Sequence, residues 1–224
     1  MITLCVPTIT RYDLLCILIK SAERGTLVPD KYVIIDNGAH LASREGFAKQ
    51  VEKDKSLPKD KITVLKRRYS VAKSWNYFID NCEENIIISN DDIELLPNSI
   101  ESIVNAANSH PDKLMFSAAE GGINAFSFFL IRKKLKDTIG GFDELFDPAY
   151  FEDCDFHRRM YLAGIERMNV IGLQLIHHHS ATIKSFDREQ RKKFSKFFYK
   201  NMDRYLRKWG GMPEKEAYEK PFNL

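Results

Sequence analysis

The sequence predicts an open α/β layer fold built on a parallel sheet covered on both faces. Three observations carry this reading. Short apolar runs alternate four times with segments of helical periodicity, those runs are continuously apolar, and their polar exits fall on one edge of the sheet. A strand buried on both faces needs apolar residues at every position, and Ile86-Ile87-Ile88 supplies them. With 224 residues, 44% of them hydrophobic, the chain can bury one substantial core, so a single domain is expected.

Ile2 to Val6 is a short apolar run stopped by Pro7, a buried first strand. Tyr12 to Arg24 places apolar residues at 14, 15, 18 and 22 and stops at Gly25, the pattern of a helix with its expected end. Tyr32 to Ile35 is a second strand that exits through Asp36-Asn37-Gly38. Leu41 to Lys53 is a polar-faced helix, and Ile62 to Leu65 a third strand. Ser70 to Asn81 carries Val71, Trp75, Phe78 and Ile79 on one helical face. Ile86 to Ile88 is the fourth strand and runs into Ser89-Asn90-Asp91-Asp92.

The second half changes character. Asn98 to Ser109 reads as a helix, and Leu114 to Ser117 and Ala125 to Ile131 as strands, with a turn at Gly140-Gly141-Phe142-Asp143. Phe151 to Ala163 is a helix closed by Gly164, and Val170-Ile171 and Leu173 to Ile176 are strands leading into His177-His178-His179. From Asp187 to Trp209 the apolar positions 194, 198, 202, 205 and 209 trace a helical stripe ended by Gly210-Gly211, and the same helix carries nine Lys or Arg. It reads either as a helix docked by its aromatic stripe with a solvated basic face, or as a surface that meets an anionic membrane or acceptor.

Composition narrows the function. A formal charge of +3 is too small to argue for nucleic acid. No apolar stretch approaches the roughly 20 residues of a membrane helix. The opening Met1 to Val6 runs into Pro7 without the basic region and apolar core of a signal peptide. The four cysteines, Cys5, Cys16, Cys82 and Cys154, show no Cys-x-x-Cys spacing and read as free buried thiols, so the expected location is cytoplasmic.

In open α/β sheets ligands sit beyond the carboxyl ends of the strands, where Pro7-Thr8, Asp36-Asn37 and Asp91-Asp92 all fall. A strand that stops in two carboxylates delivers them rigidly to an edge where a divalent metal and a phosphate can meet. The later acids Glu152-Asp153-Cys154-Asp155 and the histidines suggest one site assembled from three distant segments.

The order Val6-Pro7-Thr8, Ile34-Ile35-Asp36-Asn37-Gly38, Asn90-Asp91-Asp92, Gly140-Gly141-Phe142-Asp143, Glu152-Asp153-Cys154-Asp155 and His177-His178-His179-Ser180 resembles the GT-A glycosyltransferases of the family 2-like, inverting type. The resemblance covers about residues 2 to 185, and its most specific feature is the Gly-Gly-Phe-Asp turn shortly before Glu-Asp-x-Asp. It implies a Rossmann-like mixed sheet flanked by helices. It also implies a glycosyltransferase domain over residues 1–185, with a nucleotide-binding half (1–97) and an acceptor and catalytic half (98–185). A basic C-terminal helix and tail (186–224) would pack on the same domain. The implied activity is metal-dependent, inverting transfer of a sugar from a nucleotide-diphosphate donor, a UDP-sugar favoured, to a hydroxyl of a glycan or glycoconjugate.

Residue by residue, the resemblance puts Asp92 at the metal-binding position and Asp91 near the ribose, although the leading acid of the family motif is Asn90 here. Mg²⁺ or Mn²⁺ would complete its shell with diphosphate oxygens and water. The strand-end acids could instead cap the next helix. Thr8, Arg11 and Asp36 match positions around the nucleotide base, where Asp36 would accept the imide N–H of uracil; alone, Asp36-Asn37-Gly38 is a turn. Asn76 resembles a family asparagine near the nucleotide, or is a surface amide. Asp153 matches the catalytic base, in the first turn of a helix whose dipole favours the ionised form, with Glu152 and Asp155 competing and Asp155 a partner for Arg158 or Arg159. His177 matches a metal or diphosphate ligand, and on a strand His179 would share its face. Two other classes stay open: a nucleotide-sugar-binding module without turnover, and a metal-dependent phosphohydrolase.

Overall fold

The structure, a computed structural model, describes residues 1–38, 45–82, 85–118, 125–178 and 187–224. Its first half alternates strand and helix: β1 (Thr3–Thr8), α1 (Tyr12–Glu23), β2 (Lys31–Asp36), α2 (Phe47–Lys53), β3 (Ile62–Lys66), α3 (Val71–Asn81) and β4 (Asn85–Ser89). There follow β5 (Ile93–Leu95), α4 (Ser99–Ser109), β6 (Met115–Ala118), β7 (Phe128–Arg132) and α5 (Lys133–Ile139). The chain then forms α6 (Glu152–Leu162), β8 (Met168–Val170), β9 (Leu175–His177) and the long α7 (Arg188–Trp209).

Seven strands form one sheet in the order β3-β2-β1-β4-β7-β6-β8, and β5 pairs with β9 in a separate two-stranded ribbon. The first four strands are mutually parallel. β7 runs against both of its neighbours, so the sheet is mixed rather than wholly parallel. Its apolar run is buried from Phe128 to Ile131, as a strand covered on both faces must be, and such a run carries no mark of its direction. The family resemblance implied the mixed sheet; periodicity alone implied the parallel one.

Alternation along each strand separates two cores. Leu4, Val6, Ile34 and Ile87 face Leu15 and Ile19 of α1 and Ile100 and Ile103 of α4. Cys5, Val33, Ile35, Ile86 and Ile88 face Trp75 and Phe78 of α3, Leu135 of α5 and Phe156 of α6. Local signals set the helix ends: Ser70 caps α3 by accepting from the Lys73 N–H at 3.1 Å, and Asp187 with Gln190 closes a capping box on α7. The predicted helix from Leu41 is observed from Phe47, its beginning lying outside the described residues. The strand expected at Val170-Ile171 occupies Met168–Val170, and β5 and α5 are additional. No helix among the described residues is long and apolar enough to cross a membrane.

Candidate active site

The carboxyl ends of β1 and β4 meet the start of α6 and the end of β9 around one cavity of about 360 Å³. Thr8, Asp91, Asp92, Glu152, Asp153 and His177 all line it. That volume lies within the range of about 300–1,000 Å³ usual for small-molecule sites.

The Asp92 edge is built by the small ribbon. Antiparallel pairing sets Ile93 opposite His177, so β9 returns its histidine beside the acids that follow β4. The Asp92 carbonyl accepts the His178 N–H at 2.9 Å, and Asp92 Oδ1 lies 3.2 Å from His177 Nε2. His178 stands 3.7 Å from Glu94 instead, and His179 lies outside the described residues. Asp91 is buried and accepts from Thr8 Oγ1 at 2.7 Å. Burial, and secondarily the charge of Asp92, push its carboxyl up to about 7 against the pull of the Thr8 hydrogen bond.

That shift has a stability consequence. Between pH 4 and about 7 the folded, ligand-free protein holds a proton on Asp91 that the unfolded chain has released, so stability falls as pH rises through this window. Asp91→Asn is expected to flatten that fall and to raise the melting temperature at pH 8, as seen in thermal melts from pH 4 to 8. A slope unchanged by the substitution would refute the assignment.

The acid turn is held under strain. Tyr150 and Phe151 precede α6 with φ of 78° and 70°, left-handed values that non-glycine residues seldom adopt. The Val71 N–H donates to the Pro148 carbonyl at 2.9 Å and Asn201 Nδ2 to the Ala149 carbonyl at 2.8 Å, fixing the turn from α3 and α7. Of the three acids, Asp155 is fully buried and bound by Arg159 Nε at 2.9 Å, Trp209 Nε1 at 2.9 Å and Lys208 Nζ at 2.6 Å. The partner expected for it, Arg158 or Arg159, is Arg159. Glu152 is buried, and Asp153 keeps partial access to the cavity. Burial raises the Asp153 carboxyl, and the Cys154 N–H, donating at 2.8 Å, counters part of that rise.

Three sequence candidates stand apart from the cavity. Asp36 is fully buried; its oxygens accept from Tyr12 Oη at 2.8 Å, the Gly38 N–H at 3.0 Å and the Phe47 N–H at 2.7 Å. Its carboxylate therefore fastens the loop after β2 to α1 and α2, and the expected contact with a base is corrected to this structural one. Asn76 accepts from the Phe142 N–H at 2.8 Å and donates to the Phe142 carbonyl at 2.9 Å, so it pins the Gly-Gly-Phe-Asp turn and is buried rather than a surface amide. A Cβ on Gly141 would come within 2.6 Å of Asn76 Oδ1, which explains the glycine there. Arg11 forms an ion pair with Asp13 at 2.6 Å, and its pKa is raised first by that bond and then by the charges of Asp91 and Asp92.

The C-terminal helix belongs to the site. Tyr205 and Trp209 pack with Phe146, Phe151 and Cys154 under the acid turn, and Phe194 reaches the cavity wall beside Tyr150. Its basic residues are not all solvated: Lys208 Nζ sits 2.8 Å and Arg204 3.0 Å from Asp143, the last residue of the glycine turn. Sequence reasoning missed Trp75, Tyr150 and Phe194 as lining residues. For Trp75 and Phe194 the only signal, apolar spacing on a helix face, is the signal of core packing, and Tyr150 lies in the turn before α6, where no periodicity applies.

No protein-family model matches the chain, and no curated protein matches it. Solved structures do. PcManGT, a mannosyltransferase from Pyrobaculum calidifontis in complex with GDP-Man and Mn²⁺, aligns with a TM-score of 0.63 at 14% identity, over 92% of this chain and 64% of that one. TarS 1-349 from S. aureus aligns with a TM-score of 0.52 at 16% identity, over 72% of this chain and 55% of that one. Its complex with UDP-GlcNAc gives a TM-score of 0.54 at 15% identity, over 72% and 53%. The chain thus spans less than two thirds of each of these proteins. With its mixed seven-stranded sheet flanked by helices, this protein has a GT-A-like glycosyltransferase fold.

Proposed function

We propose that the protein is a metal-dependent, inverting glycosyltransferase that moves a sugar from a nucleotide-diphosphate donor to a hydroxyl of a glycan or glycoconjugate. The observation that carries this is the convergence of Asp91, Asp92 and His177 with Asp153 on one cavity. In this reading residues 1–97 hold the nucleotide and residues 98–185 present the acceptor.

The donor set suits a divalent cation. Asp92 Oδ1 and His177 Nε2 are 3.2 Å apart, close to the roughly 3 Å between adjacent ligands of an octahedral ion bound at about 2.1 Å. They supply one oxygen and one nitrogen, as Mn²⁺ accepts, and leave the other positions to diphosphate and water. Bound there, the ion would neutralise the departing nucleoside diphosphate. Asp153 would take the proton of the acceptor hydroxyl as that oxygen attacks the anomeric carbon. The solved complexes with GDP-Man and Mn²⁺ and with UDP-GlcNAc support a donor of this kind. Because Asp36 is spent on protein donors, its imide contact no longer favours uracil, and UDP and GDP are tested side by side.

The location we propose is cytoplasmic. Contact with an anionic membrane or acceptor would use the exposed Arg188, Lys192, Lys193, Lys196 and Lys200 of α7. The apolar stripe of that helix packs inward, so such contact would be electrostatic and would weaken with salt.

Calorimetric titration of UDP and GDP tests the reading. Binding is expected with Mn²⁺ and is expected to vanish with a chelator. Asp92→Ala should weaken it beyond the roughly 10–100-fold cost of losing an outer-shell partner. If neither nucleotide binds with metal present, the glycosyltransferase reading fails.

A further inference from the structure

Two sulfurs meet on the α3 side of the sheet. Cys5, within β1, is fully buried in the core shared with Trp75 and Phe78 of α3. Cys82 stands directly after α3, partly exposed and packed against the same core. Their Sγ atoms are 3.6 Å apart, although 77 positions separate them in the chain. The other two cysteines belong to different cores: Cys16 to the one on the opposite face of the sheet, Cys154 to the one under the acid turn.

A disulfide holds its sulfurs about 2.05 Å apart, so this pair needs roughly 1.5 Å of closure. Cys82 is placed to supply it. It lies past the last residue of α3 with an extended backbone, φ −104° and ψ 172°. Rotation about its Cα–Cβ bond moves the sulfur without bending helix or strand. Cys5 has less freedom, because β1 is paired on both sides, with Val33 of β2 and Ile88 of β4 opposite it.

We propose that Cys5 and Cys82 are a redox-sensitive latch, which a peroxide converts into a reversible disulfide tying the end of α3 to β1. The chemistry takes two steps. The Cys82 sulfur attacks the peroxide O–O bond, giving a sulfenic acid and one water. The Cys5 sulfur then attacks the Cys82 sulfur; the S–S bond forms, the S–O bond breaks, and the Cys5 proton leaves with the hydroxide as a second water. The peroxide gains two electrons and the two thiols lose two. A dithiol reverses the bond by exchange. Burial, and secondarily the hydrogen bond with Cys82, hold the Cys5 thiol well above its ordinary range, so Cys82 meets the oxidant and Cys5 resolves it. Adjacency offsets the scarcity of Cys5 thiolate. Neither residue borders the cavity, so the latch stands independently of the transferase reading. Tying residues 77 positions apart restricts the unfolded chain, and the oxidised protein should be the more stable form.

The intact protein, freed of reductant and kept dilute, is treated with hydrogen peroxide, alkylated in urea and digested without reduction. Mass spectrometry is expected to find Cys5 linked to Cys82, with Cys16 and Cys154 alkylated, and the link gone after dithiothreitol. The urea midpoint is expected to rise by roughly 1 M on oxidation and to return with dithiothreitol. Cys82→Ser, at a partly exposed position, should show neither link nor rise. Cys5→Ala should stop at a Cys82 sulfenic acid that dimedone traps. Cys82 oxidised to sulfinic acid without a link, or a link between two copies, overturns the latch. So does a midpoint that stays level or falls when the link forms, or that rises equally in Cys82→Ser.

Discussion

Asp153→Asn is expected to lower sugar transfer by about 10²–10⁴-fold, the usual contribution of a positioned general base, while metal-dependent nucleotide binding persists. The substitution keeps shape and burial and removes only the ability to take a proton. Asp153 is favoured over its neighbours by access: Asp155 is closed off by Arg159, Lys208 and Trp209, and Glu152 is buried, whereas Asp153 is half-buried at the cavity. Burial raises its carboxyl above the ordinary aspartate value, the direction that makes it a stronger base. Transfer should therefore rise with pH through that raised pKa, because the ionised form is the active one. The comparison is with Glu152→Gln under saturating donor. Should Asp153→Asn keep wild-type turnover while Glu152→Gln loses it, the base is Glu152.

The same comparison shows what a sequence can and cannot carry. Strand ends were legible, because a strand buried on both faces is apolar throughout and must exit through polar residues; Asp91, Asp92 and His177 duly reach one edge. The direction of β7 was not, since its buried run reads identically both ways. The three-residue β5 is too short for a periodic signal, and α5 buries only Leu135. Asp36 and Asn76 were assigned to a ligand because their partners, the Phe47 N–H and the Phe142 backbone, are brought in by distant segments. Trp75 and Phe194 obeyed a helical apolar stripe, and only the packed structure separates a core face from a cavity wall.

Trp209→Ala is expected to destabilise the fold by about 3–5 kcal/mol, the range for removing a fully buried aromatic, read as a lower midpoint in urea denaturation. Trp209 is 1% exposed and packs with Phe146, Phe151, Cys154 and Tyr205. Its indole N–H also serves Asp155 Oδ1, a buried carboxylate whose other partners are Lys208 and Arg159. Trp209→Phe would retain most of the packing and lose that hydrogen bond, so its cost should fall to about 1–3 kcal/mol. Because Phe151 and Asp155 bracket Asp153, the alanine variant should also lose transfer at temperatures where it remains folded. In the proposed reading the nucleotide is held by Asp92 and His177, at the end of β4 and on the β5–β9 ribbon, so its binding should persist. That split between lost turnover and retained binding makes α7 a support of the acid turn. A Trp209→Ala protein with an unchanged midpoint and full turnover would reduce α7 to a tail that merely rests on the domain.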